Sequence, residues 1–211
     1  MKKYFAIILM AMAAIGAVQP SHAQEIDSST PKKNQWSVGI ENTRLVYGKY
    51  IYNSHLTAKL DVSVYSEKIG FQYARATVGY QTRLKFLEIF GEGFFGSAFN
   101  GSYVNAGARI GANATLAQRL LLDAQVVPWY DSGWGYNTCF LARIGCKITK
   151  HIDIRMGYTT IPEYRMSEKR VIGGFDFHVN HLYVSPYLSV GTDSKTGGNN
   201  IRVVFGFGYL F

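Results

Sequence analysis

Apolar and polar positions alternate with a period of two along most of this chain. From Tyr103 to Leu116, Val104, Ala106, Ala108, Ile110, Ala112, Ala114 and Leu116 alternate with Tyr103, Asn105, Gly107, Arg109, Gly111, Asn113 and Thr115. One face is apolar throughout and the other is small or polar, as in a strand whose two sides meet different surroundings. The same alternation sets Lys59 and Asp61 apart in Leu56 to Val64, Arg75 and Arg83 in Phe71 to Leu84, and Glu88 and Glu92 in Leu87 to Phe95. It does so for Asp123 in Leu120 to Trp129, Arg143 and Lys147 in Cys139 to Ile148, and Asp153 and Arg155 in Ile152 to Tyr158. Asp176 in Val171 to Val179, Ser185 and Ser189 in Leu182 to Val190, and Arg202 in Ile201 to Phe211 complete the series. No segment longer than about ten residues shows helical period, so the chain reads as all-β.

The last segment shows which way the faces point. Ile201, Val203, Phe205, Phe207, Tyr209 and Phe211 share one side, while Arg202, Val204, Gly206, Gly208 and Leu210 share the other. An almost wholly aromatic or aliphatic face opposite a small, charge-bearing one suits lipid outside and a filled interior. A soluble sandwich inverts this, burying Val104, Ile110 and Phe205 between sheets and leaving Arg75 and Arg109 in water.

The aromatic ending Phe207, Tyr209 and Phe211 resembles the closing strand of the outer-membrane β-barrel family of double-membraned bacteria. The resemblance implies that these three residues are the signal read by the barrel-assembly machinery. It also implies a single antiparallel up-and-down transmembrane barrel over residues 36–211. Counting Trp36 to Val46 gives eleven segments, whereas single-chain bacterial barrels have an even number. Ten strands are expected, with Trp36 to Val46 as a partial strand or plug. Twelve follows if one strand has been missed, and eight only if segments merge.

The beginning of the chain agrees with export. Lys2 and Lys3 precede an apolar run from Phe5 to Ala14, and Ser21-His22-Ala23 offers a cleavage site before Gln24. This is a secretory signal over residues 1–23, too short to span a membrane. Polar residues 24–35 read as a flexible periplasmic leader, and the expected location is the outer membrane. Connections alternate in length. Lys85-Phe86, Ala117 to Arg119, Thr149 to His151 and Asn180-His181 are short, whereas Phe99 to Ser102, Asp131 to Tyr136, Thr160 to Lys169 and Thr192 to Asn200 are mostly longer. Short periplasmic turns and longer outer loops fit a porin-like barrel.

The net charge of +8 points to lipopolysaccharide phosphates or barrel electrostatics rather than to nucleic acid, which an exported chain rarely meets. Cys139 and Cys146 lie on one predicted strand, roughly 23 Å apart and on opposite faces, too far to pair. The charged residues expected inside are Lys59, Asp61, Arg75, Arg83, Glu88, Glu92, Arg109, Asp123, Arg143, Lys147, Asp153, Arg155, Asp176 and Arg202. Paired, they would close the lumen; unpaired, they would line a narrow channel for small solutes. In the outer loops, Trp129, Tyr130, Trp134, Tyr136, Tyr164 and Arg165 form either an ordinary interfacial rim or a surface for a glycan, lipid head group or partner. A lipid-modifying enzyme with its site at the outer rim is the third reading. His55, His151, His178 and His181 all fall at predicted periplasmic turns, so that rim site lacks a base. No metal-ligand spacing, CxxC or HExxH occurs, and neither metal nor cofactor is expected.

Overall fold

The computed structural model describes residues 34–41, 45–63, 73–133, 135–161, 169–192 and 201–211. The expected signal peptide and nearly all of the expected leader lie outside them. Twelve antiparallel strands form one closed barrel. They are β1 (Asn34–Glu41), β2 (Leu45–Tyr52), β3 (Leu56–Ser63), β4 (Tyr73–Leu84), β5 (Leu87–Ala98) and β6 (Val104–Leu116). β7 (Leu120–Asp131), β8 (Gly135–Lys147), β9 (Ile152–Thr159), β10 (Arg170–Val179), β11 (Leu182–Gly191) and β12 (Ile201–Leu210) follow. Each strand pairs with its neighbours in sequence, and β1 closes the ring on β12.

The expected ten strands are therefore corrected to twelve. Trp36 to Val46 is neither a plug nor a partial strand but parts of two strands, paired from Asn34↔Tyr52 to Glu41↔Leu45. Periodicity leaves Tyr47 to Tyr52 unassigned because β2 is apolar on both faces. Leu45, Tyr47 and Ile51 point inward, Val46, Tyr50 and Tyr52 outward, and Lys49 is the strand's one charge. A strand without contrast between its faces carries little period-two signal.

The exterior is apolar. Among the described residues, every Asp, Glu, Lys and Arg within a strand lies on the inward-facing parity. Outside, Val203 is 77% exposed, Val78 65% and Ile110 61%, which is extreme for large aliphatic groups in water and ordinary against acyl chains. Inside, the side chains of Arg75 and Arg109 are each only 11% exposed. This is the reverse of a soluble sandwich. Aromatic rings gather at the rim that carries Asn34 and the C-terminal Phe211, including Trp36 against Tyr50 and Tyr209 against Phe211, with ring centroids 4.4 and 4.9 Å apart. Amphipathic rings favour such an interface.

At that same end the turns are tight. Tyr52 to His55 and Leu116 to Arg119 are each closed by a backbone hydrogen bond of 3.0 Å. Their central residues, Asn53 and Ser54 in one and Ala117 and Gln118 in the other, have φ between 48° and 62°. Left-handed backbone at both positions marks the type I′ turn, whose twist matches that of the flanking strands.

Candidate functional site

The lumen is the one region where strand after strand delivers chemistry to a shared space. On the wall formed by β1 to β6, Lys59 lies 2.6 Å from Glu41 and 2.8 Å from Asp61. Asp61 in turn meets the Arg75 guanidinium at 3.1 Å. Lys59 sits over the Tyr47 ring and Arg75 over that of Phe94, 4.9 and 5.6 Å from the centroids. Further round, Arg109 holds Glu92 at 2.8 Å, and the Asn113 amide donates to Glu88 at 3.1 Å.

The wall formed by β7 to β10 is organised by Arg155. Its guanidinium lies 2.8 Å from Asp123, 2.8 Å from Asp176 and 3.5 Å from Asp153. Arg143 adds a second cation 3.0 Å from Asp123. Asp153 and Asp176 stand directly opposite each other on β9 and β10, an unfavourable pairing of like charges unless a cation serves both. Arg155 is that cation, and Ser185 also donates to Asp176 at 2.6 Å. His178 Nε2 lies 3.9 Å from Asp153, so Asp153, Asp176 and His178 bring three ligand-type atoms within 4.8 Å of one another. Sequence spacing could not show this, because the donors come from two strands. With Arg155 already lodged against both carboxylates, the group is arranged as an ion-pair network rather than an open metal cage.

All fourteen charged residues expected inside have inward parity on their strands. Glu41, Lys49, Asp131 and Arg170 join them. Glu41 and Lys49 escaped notice with the β1–β2 hairpin. Asp131 falls in an expected connection and Arg170 between an expected connection and the next segment, yet each sits on a strand and is almost wholly buried. Arg170 donates to the Ser189 hydroxyl and, at 2.8 Å, to its carbonyl. Tyr103 donates to Asp131, whose other oxygen accepts the Gly133 amide at 2.7 Å.

A second inward layer was not anticipated. Phe94, Val127, Trp129 and Cys139 pack together inside the barrel, as do Leu141, Ile172, Tyr187 and Val204, and Ile161 packs against both groups. Leu45, Tyr73, Ala98 and Tyr103 form a third apolar cluster. On β7, β8 and β10 these residues lie nearer the long-loop end than Asp123, Arg143 and Asp176, while Asp61, Arg75, Asp131 and Arg170 carry buried charge to that same end beside them, so apolar and ion-paired side chains fill the lumen together. The available signal was the loss of contrast in Val126-Val127-Pro128-Trp129 and in Cys139-Phe140-Leu141-Ala142, where both faces become apolar.

The expected loop surface is largely redistributed. Trp129 is an inward residue of β7, its ring 5.7 Å from that of Phe94, because the strand runs on to Asp131. Tyr130 and Tyr136 face each other across the β7–β8 pair and point outward from the barrel rim. Trp134, Tyr164 and Arg165 lie outside the described residues. Phe207, Tyr209 and Phe211 all point outward along the closing strand. His55, His151, His178 and His181 sit at or beside the tight turns, at the end away from the long connections. Cys139 is buried in the lumen and Cys146 is half-buried on the outer face, and neither forms a disulfide.

Fold and site together define a closed β-barrel of transmembrane type, apolar outside and filled inside. No protein-family model matches the sequence, and no curated protein matches it. Solved structures do share the fold. The KdgM porin in complex with disordered oligogalacturonate superposes with a TM-score of 0.56 at 10% identity, covering 84% of this chain and 97% of that one. The KdgM porin alone gives 0.54 at 12% identity, covering 84% and 98%. A structure from work on in-meso crystallization of membrane proteins gives 0.58 at 12%, covering 84% and 83%. At such identities the likeness is one of architecture.

Proposed function

We propose that this protein is a non-catalytic outer-membrane β-barrel whose lumen is closed by its own side chains and whose outer loops offer a surface for binding. The chain is exported by its N-terminal signal, cleaved near Ala23. It is inserted by the barrel-assembly machinery through Phe207, Tyr209 and Phe211, and it stands in contact with lipopolysaccharide. The observation that carries the reading is the double filling of the lumen. Ion pairs run along both walls, and apolar side chains packed around Ile161 fill the space beside them toward the long-loop end. An ion entering the lumen would have to displace charges that are already paired or leave water against apolar side chains. The test is single-channel recording on purified protein in a planar bilayer, where a closed lumen passes almost no current. Heat-modifiable mobility on gels of outer-membrane fractions tests the location and the closed barrel together.

A narrow channel for small solutes is the second reading, favoured by the fold shared with the KdgM porin. Steady single-channel steps from the wild-type protein would establish it and displace the closed-lumen reading.

A further inference from the structure

Lys49 is the lumen's unclaimed cation. It sits on β2 facing inward and is 7% exposed. Lys59, Arg75, Arg109, Arg143 and Arg155 all have carboxylate partners, and every other lumen-facing Lys or Arg among the described residues is engaged in some interaction of its own. Lys49 alone has neither a hydrogen bond nor an ion pair. Its cross-strand neighbours offer no anion, being Ser37 on β1 and Lys59 on β3. Three acids act on it only at longer range: Glu92, which is paired with Arg109, Glu41, which is paired with Lys59, and Glu88, which accepts from the Asn113 amide. Arg109 Nε, beside Glu92, also lacks a hydrogen-bond partner. A buried ammonium with no carboxylate in direct contact is costly. A mobile anion removes that cost.

We propose that Lys49 is the anion-binding group of the lumen, holding a small oxyanion: inorganic phosphate, or the carboxylate of a small solute. The site lies among the charged groups rather than in the apolar layer, so it needs no conducting path through the barrel. It rests on the barrel reading only in requiring that β2 turn Lys49 inward.

The experiment is thermal unfolding of the mature barrel folded in detergent, with sodium phosphate titrated against sodium chloride at constant ionic strength. Phosphate at ten times its dissociation constant should raise the midpoint by roughly 3–6 °C and then saturate. Lys49→Arg should keep the shift, Lys49→Met should abolish it, and Lys85→Met, in an exposed turn, should leave it intact. An equal shift in Lys49→Met, or no saturable shift in the wild type, overturns the assignment. If Lys49→Met does not fold, the phosphorus NMR linewidth of phosphate with folded wild-type barrel decides: broadening that is lost on unfolding supports the site, and unbroadened signal overturns it. Acetate that reverses the broadening extends the site to carboxylates, and acetate without effect restricts it to phosphate. A chain giving no heat-modifiable band in any buffer fails the barrel reading instead.

Discussion

The hydroxyls of Tyr47 on β2 and Tyr183 on β11 meet at 2.8 Å across the two strands where the barrel closes. Gly39 on β1 stands opposite Tyr47, Gly208 on β12 stands opposite Tyr183, and the two glycines face each other. With no side chains beneath them, the rings lie over the seam and touch. The seam itself is short, four residue pairs, whereas each of the other neighbouring strand pairs has seven or more among the described residues. A clasp on the inner side reinforces the weakest join.

Removing the Tyr47 hydroxyl leaves that of Tyr183 buried without its partner, and removing the Tyr183 hydroxyl leaves Tyr47 with Ser37 alone. Tyr47→Phe and Tyr183→Phe should each destabilise the barrel by about 1–3 kcal/mol. The double variant should lose clearly less than the sum, because it leaves no orphan group. Gly208→Ala should cost about 1–3 kcal/mol by overpacking, since its added carbon would lie 2.7 Å from the Tyr47 hydroxyl and against the Tyr183 ring. Urea unfolding followed by the heat-modifiable band measures all four. Strictly additive losses in the two phenylalanine variants would show that the hydroxyls do not act as a pair.

Arg155 and Asp123 supply the corresponding test on the opposite wall. Their side chains are each 3% exposed, and Asp123 also serves Arg143, so removing its charge leaves two buried guanidiniums with one carboxylate fewer. Asp123→Asn should cost about 3–5 kcal/mol, whereas replacing buried ionic groups together by apolar ones of similar volume is often near neutral. Replacing Asp123, Asp153, Asp176, Arg143 and Arg155 together by Leu and Met should therefore fold better than Asp123→Asn alone in a refolding-yield assay.

The tight turn after β6 is built from residues poorly suited to it. Ala117 and Gln118 hold φ of 48° and 59°, and a left-handed backbone costs an ordinary L-residue about 1–2 kcal/mol. Ala117→Asn combined with Gln118→Gly gives the pair that type I′ turns prefer. It should raise stability by about 1 kcal/mol or more, read as a higher urea midpoint with an unchanged slope.

How much was legible in the sequence follows from contrast between faces. β6 was readable because Arg109 and Asn113 alternate with alanines and Ile110, and the interior placement of Arg75 and Arg155 came from the same rule. β2 was not, because Tyr47 and Tyr50 look alike in a pattern although one faces the lumen and the other lipid. The ion pairs could not be assigned either, because Arg155 and Asp123 are 32 residues apart and meet only once register and closure are fixed. Trp129 was misplaced for the reason that hid the apolar layer: where the interior turns greasy, the zigzag disappears.

That layer offers the sharpest functional prediction. Leu141 and Val127 contribute buried side chains to its two clusters, and Leu141 faces the lumen one step toward the long loops from Arg143. Truncation to alanine removes lining atoms in a site hemmed in by rigid strands, so cavity rather than collapse is expected, at about 2–5 kcal/mol for the leucine. In the Leu141→Ala, Val127→Ala double variant the cavity should admit water and join the polar layer. Single-channel recordings should then show current steps absent from the wild type. Replacing Ile144, on the outer face of the same strand, by alanine should leave the lumen shut. Equal conductance from wild type, lumen variant and outer-face variant would mean that the apolar layer does not set the barrier.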